Sequence, residues 1–123
     1  MTERTTPLQT ALAYHQAWSN RDMDRAMTYI ADDIICDAPA GRIEGAAAYQ
    51  VFMGPFVTML KGTKLLAAFG DDATAMIMYD TRTALVESGP GAEWLTIKNG
   101  KIVYSRFIFD RLPFEQARQK ARR

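Results

Sequence analysis

Cysteine and histidine are nearly missing from this chain: Cys36 and His15 are the only two in 123 residues. A single cysteine excludes an intrachain disulfide and suits a reducing cytoplasm. With one histidine and one cysteine, a transition-metal site lacks its usual ligands. No charge sign dominates. Fifteen Lys and Arg stand against fourteen Asp and Glu, a net charge of +1, so no global field draws in nucleic acid or a membrane surface. No apolar run approaches the length needed to cross a bilayer, and the opening MTERTTP lacks the apolar segment of a signal peptide. Internal repeats, Gly-rich phosphate loops, a Ser-centred elbow and a Cys–His nucleophile pair are all absent, and no cofactor is expected. Hydrophobic residues, by contrast, make up 48% of the chain, enough for one real core. The expectation is a single domain over residues 1–123 with a disordered lead at 1–6. Seven methionines suit an adaptable apolar pocket or a soft interface.

Taken in order, Pro7 suits a first helical position with Thr6 as its cap. Leu8, Ala11, His15 and Trp18 form the apolar stripe of a helix to Ser19, flanked by Leu12 and Tyr14. Asn20-Arg21-Asp22 breaks it, and Asp22 caps a short second helix carrying Met23, Ala26, Met27 and Ile30. Ile34 to Ala38 reads as a strand ended by Pro39, with a second short strand at Arg42 to Glu44. A third helix follows from Ala46 to Leu60, with a kink expected at Gly54-Pro55. Then come strands: Lys64 to Phe69, and Ala73 to Val86. In the latter Ile77, Tyr79, Thr81 and Thr83 oppose Met76, Met78, Asp80 and Arg82. Pro113 opens a terminal basic helix.

The stretch Gly91 to Asp110 organises the rest. Asn99-Gly100 is a type I′ hairpin signal, because both residues accept positive φ. A two-residue turn pairs Lys98 with Lys101, Trp94 with Ser105 and Glu93 with Arg106. Glu93, Ile102, Tyr104, Arg106 and Ile108 then share one face. Trp94, Ser105, Phe107 and Phe109 share the other. Both faces are largely apolar, so both need cover: helices on the concave side, and a second copy of the chain on the convex side.

Three stretches together resemble the NTF2-like superfamily and its SnoaL-like domains: AWSNRDMDRAMTYIADDI, then PAGRIEG followed by a helix, then the run from Glu93 through NGKI to FIFD. The resemblance implies an α+β, NTF2-like or cystatin-like fold, a cone-shaped curved antiparallel sheet wrapped around N-terminal helices. It implies a deep pocket and a homodimer formed through the sheet. Relatives include ketosteroid isomerases, polyketide cyclases, limonene epoxide hydrolases and non-catalytic binding domains, so site residues must decide. Aligned without gaps, the isomerase pattern puts Tyr14 on the oxyanion tyrosine, Glu93 near its protonated acid, and Ala38 on its general base. The epoxide hydrolase pattern puts Phe107 on the acid of the last strand. A two-residue turn cannot turn Glu93 and Phe107 to the same side, and the aromatic Phe107 face is the better pocket wall.

The resulting expectation is a small-molecule pocket protein, with a cofactor-free isomerase, cyclase or hydrolase reaction on an apolar polycyclic or terpenoid substrate. Asp37 or Asp80 is the expected base and Tyr14 the donor to developing oxygen charge. Trp18, Phe52, Phe56, Trp94, Ser105, Phe107 and Phe109 are the expected ligand contacts. The alternative is a non-catalytic ligand-binding or dimeric interaction domain whose acids are all structural. Glu93 would then pair with Arg106, and His15 would be a hydrogen-bonded core residue.

Overall fold

The computed structural model describes residues 5–121. Four helices and six strands occur in the order α1 (Pro7–Ser19), α2 (Met23–Met27), β1 (Ile30–Ala38), β2 (Gly41–Glu44), α3 (Ala46–Met59), β3 (Leu60–Gly70), β4 (Thr74–Thr83), β5 (Gly89–Lys98), β6 (Lys101–Phe109) and α4 (Leu112–Ala121). The strands form one curved sheet in the order β2-β1-β6-β5-β4-β3. All neighbours are antiparallel except β1 and β6, which run parallel because the rest of the sheet is threaded between them. Helix α1 lies over β3, β4 and β5, and α3 over β1. This is the α+β architecture expected, with helices on the concave side.

Local chemistry accounts for the ends of α1. Gln9 N–H donates to Thr6 Oγ1 at 3.1 Å and Thr6 N–H to Gln9 Oε1 at 2.8 Å, a reciprocal capping box ahead of Pro7. Residues 1–4 of the expected disordered lead lie outside the described residues, and Thr6 belongs to the helix cap. The core between helices and sheet is built on Trp18, Ile34, Leu95 and Ile102, all fully buried; each such side chain contributes roughly 1.5–3 kcal/mol through loss of apolar surface to water. In β4 the predicted faces hold: Ile77, Tyr79, Thr81 and Thr83 are buried, while Met76, Met78 and Arg82 are exposed. β1 begins at Ile30, four residues earlier than the pattern suggested.

The hairpin turns at Asn99 (φ 52°) and Gly100 (φ 75°), as its sequence predicts. Its register departs from expectation within three residues. Lys98 pairs with Lys101 and Ile97 with Ile102, but Thr96 pairs with Tyr104, leaving Val103 as an extra residue in β6. Beyond this bulge Leu95 faces Ser105, Trp94 faces Arg106 and Glu93 faces Phe107. Side chains alternate with period two, so one added residue exchanges the sides of everything that follows it. Ile102 and Ser105 therefore both point inward although they differ in parity, and both are fully buried.

The expected division of the hairpin is thus corrected. Glu93 joins Ser105 and Phe107 on the concave side, and Trp94, 45% exposed, joins Arg106 and Ile108 on the convex side. No Glu93–Arg106 pair forms.

Candidate functional site

A cavity of about 350 Å³ opens between α3, the sheet and α4. Phe52, Met53, Phe56 and Met59 of α3 form one side. Tyr79 and Thr81 of β4, Gly89 and Gly91 of β5, and Phe107 and Phe109 of β6 form the other. Aromatic rings meet edge to face around it: Phe52 with Phe107 at 6.0 Å, Phe107 with Phe109 at 5.4 Å, and Phe109 with Phe114 at 5.8 Å. Arg111, Glu115 and Arg118 stand at the α4 end.

Thr81 and Tyr79 bring polar groups to the inner wall, and because the Thr81 hydroxyl donates to the Gly89 carbonyl at 2.8 Å, the uncommitted one is that of Tyr79 with its partner acid. The Tyr79 ring lies over Gly91, its direct partner across β4 and β5. A Cβ at Gly91 would come within 3.0 Å of Tyr79 Cε2, so the missing side chain is what lets the ring settle there. From this position the Tyr79 hydroxyl donates to Glu93 Oε2 at 2.9 Å. Glu93 is fully buried, and burial raises its pKa to about 7 from the ordinary 4.5. Hydrogen bonding, chiefly from Tyr79, works in the opposite direction. The Tyr14 hydroxyl has a lowering influence as well, yet Glu93 Oε1 has no hydrogen-bond partner. Tyr14 is instead bonded to the hydroxyl of Tyr49.

Three buried tyrosines therefore surround one buried acid. Burial first, and the Glu93 charge second, raise Tyr14, Tyr49 and Tyr79 well above the ordinary tyrosine value. Each keeps its proton at neutral pH, and the carboxyl is the member of the group that titrates there. His15 packs against Trp18 at 4.7 Å and Tyr79 at 5.1 Å between ring centroids. Burial lowers its pKa to about 4. Its Nε2 lies 3.3 Å from Ser19 Oγ, which also accepts from Thr63. This is the hydrogen-bonded core histidine that its stripe position suggests.

The expected bases are elsewhere. Asp37 follows the inward Cys36 and points to the convex side. There Arg42 binds it through Nε to Oδ1 at 2.9 Å and Nη2 to Oδ2 at 3.2 Å, and the Tyr104 hydroxyl donates at 2.7 Å. Hydrogen bonds from Arg42 and then Tyr104 hold its pKa down to about 2, the reverse of what a neutral-pH base needs. Asp80 lies on the outer face of β4, between Lys64 and Pro90 in register. Ala38 packs against the core and puts a methyl group on the inner side where the isomerase pattern has its base.

Of the expected ligand contacts, Phe52, Phe56, Phe107 and Phe109 line the cavity. Trp18 sits one layer behind, against Phe56 at 5.9 Å and Tyr79 at 5.1 Å. Ser105 is buried beside Cys36 with no partner for its hydroxyl. Trp94 lies outside. Tyr14 is also interior, behind the cavity wall. Tyr79, Gly91 and Phe114 were not singled out from sequence, although the alternation of β4 already put Tyr79 beside Ile77 and Thr81. Among the described residues no three His, Cys, Asp or Glu side chains are grouped to hold a metal ion, and no helix is long and apolar enough to cross a membrane.

The architecture is a curved sheet closed over helices around an aromatic cavity, with an acid buried behind its wall and bound by the lining Tyr79, and known proteins share its shape. The chain is similar to a crystal structure of a protein from Kribbella flavida DSM 17836, at 54% identity and TM-score 0.93, over 96% of this chain and 98% of that one. An NTF2-like protein of unknown function from Cytophaga hutchinsonii ATCC 33406 is 18% identical with TM-score 0.75, covering 94% and 99% of the two chains. An LEH-like epoxide hydrolase of M. tuberculosis is 16% identical with TM-score 0.72, covering 90% and 87%; these two likenesses are of fold alone. No curated protein sequence matches. Residues 11–105 match the SnoaL-like domain model, and the chain belongs to that family.

Proposed function

We propose that this chain binds a small, largely apolar molecule bearing a carbonyl or hydroxyl oxygen, and that the Tyr79–Glu93 pair hydrogen-bonds that oxygen. The observation that carries the reading is the 2.9 Å bond from a cavity-lining tyrosine to a fully buried carboxyl with a pKa of about 7. With Glu93 ionised, Tyr79 donates its hydrogen bond to the carboxylate and offers the ligand only an oxygen lone pair. With Glu93 protonated, the acid donates to the Tyr79 oxygen, and the tyrosine proton is free to turn toward a ligand carbonyl. Such a unit polarises an oxygen without a cofactor, as isomerase or cyclase chemistry beside a carbonyl requires. Aryl ketones, cyclic enones and epoxides, titrated by quenching of tryptophan and tyrosine fluorescence and followed for turnover, test it. Binding that Tyr79→Phe and Glu93→Gln leave unaltered overturns it.

A non-catalytic binder is the second reading, favoured by Ala38 and by the outward Asp37 and Asp80, which leave the buried Glu93 as the only carboxyl on the concave face of the sheet among the described residues. Ligand binding without turnover across the same panel selects it.

As part of the same reading we assign the protein to the cytoplasm, where its free, buried Cys36 needs no partner, and propose that it pairs with a second copy of itself through the convex face. Phe69, Met76 and Trp94 form one rung across β3, β4 and β5, and Met78 and Ile108 stand in the next. They are 45–73% exposed. A two-fold axis through this patch brings each rung against its own copy, with Asp37–Arg42 pairs at the margin.

A further inference from the structure

The cavity has a charged end as well as a polar floor. Helix α4 crosses the opening with Arg111 immediately before it and Phe114, Glu115 and Arg118 on the lining face. Phe114 is buried against Phe109, which fixes that face over the mouth. The two cations are not equivalent. Arg118 Nη1 is bound to Glu115 Oε1 at 2.9 Å, so its charge is already met. Arg111 has no ion-pair or hydrogen-bonding partner for its guanidinium among the described residues. One uncompensated positive charge therefore stands at the rim of an otherwise aromatic hollow.

We propose that the ligand is an organic acid, whose ring or hydrocarbon body fills the aromatic cavity and whose carboxylate is held at the mouth by Arg111. The inference rests on the pocket reading above and adds the substrate class to it. A guanidinium beside an apolar wall is suited to this, because it presents a planar fork to both carboxylate oxygens and is weakly hydrated. The polarity of the site then fixes orientation: the anionic end faces α4 and solvent, and the neutral oxygen of the ligand faces Tyr79. The reverse orientation would drive a carboxylate toward the buried Glu93.

Equilibrium titration of three probes that share one aromatic body tests it: 2-naphthylacetate, its methyl ester, and 2-naphthylethylamine. The acid is expected to bind about tenfold more tightly than the ester, a difference of about 1.4 kcal/mol, and the amine most weakly. Arg111→Gln should abolish the preference for the acid while leaving ester affinity in place. Glu115→Gln, which frees Arg118, should enlarge the preference. Raising the salt concentration should weaken the acid alone. All these positions are exposed, so an unchanged melting temperature is expected to accompany each variant. Ester binding equal to or tighter than acid binding overturns the proposal while leaving the pocket reading intact. So does an acid preference that survives Arg111→Gln. A chain that binds none of the three probes loses both.

Discussion

Glu93 and Phe107 stand directly opposite each other on β5 and β6, and both face the concave side. One is a fully buried acid and the other a ring in the cavity wall. Their shared side depends on the single extra residue at Val103, and most of what can be tested here follows from it.

Two buried groups give the chain opposed responses to pH. Glu93 has a folded pKa of about 7 against an ordinary 4.5. The folded chain keeps a proton that the unfolded chain releases in that window, so stability falls as pH rises through it. His15 has a folded value of about 4 against 6.5. There the unfolded chain takes up the proton first, so stability falls as pH drops from 6.5 toward 4. Each shift corresponds to about 3 kcal/mol, and the two largely cancel where the windows overlap. Glu93→Gln should therefore become acid-sensitive below pH 6.5 and gain stability above pH 7, while His15→Gln should lose stability as pH rises. Urea melts between pH 4.5 and 8 check both, and parallel curves for wild type and variants would refute them.

Tyr79→Phe removes the hydrogen bond that most lowers the Glu93 pKa. The midpoint of Glu93, followed by carboxyl NMR signals, should move up from about 7. Affinity for a carbonyl ligand should drop about tenfold, as expected for one lost hydrogen bond of roughly 1–1.5 kcal/mol. In the wild type that affinity should rise as pH falls through 7, and in Glu93→Gln it should be flat.

Gly91→Ala places a methyl group 3.0 Å from the Tyr79 ring. The ring must shift or the strands must part. A stability loss of about 1–3 kcal/mol is expected, together with a change in the Glu93 midpoint. An alanine variant with wild-type melting and titration would show that the close approach is not what seats Tyr79.

Asp37→Asn should leave ligand affinity and its pH dependence untouched, because Asp37 is held by Arg42 and Tyr104 on the convex side. A tenfold loss of binding in this variant would return Asp37 to the candidate site.

Ile108→Lys, at a position 62% exposed on the convex side, should convert a dimer to monomers by light scattering without altering the cavity. A dimer that survives both this change and Trp94→Lys does not use this face.

The layers of the fold were legible because they rest on strong local signals: the Thr6 cap ahead of Pro7, the alternation of β4, and Asn99-Gly100. Phe52, Phe56, Phe107 and Phe109 were legible as cavity lining for a similar reason, since large apolar side chains in a curved sheet and its covering helix have few other places to go. The acid was not. Val103 is an ordinary β-branched strand residue, and nothing in its type marks it as unpaired. The signal that did exist was a conflict, with one alignment turning Glu93 inward and another turning Phe107 inward. An inserted residue in β6 satisfies both, whereas an unbroken ladder forces a choice. Asp37 was misplaced by the same parity problem on β1, where the residue on either side of it faces the core. Arg111 lies outside any periodic element, so only the packing of Phe114 reveals what it stands beside.

The extra residue at Val103 also divides β6 into two lengths that can drift apart over evolutionary time. Closure of the bulge in a descendant, with Val103 drawn into the ladder opposite Thr96, would swing Ser105, Phe107 and Phe109 to the outside and bring Tyr104, Arg106 and Ile108 into the hollow, replacing a greasy lining by a charged one in a single step. Relatives that keep the same helices and the same hairpin turn can therefore have unlike interiors, and a comparison of their last strands has to be anchored separately on each side of position 103.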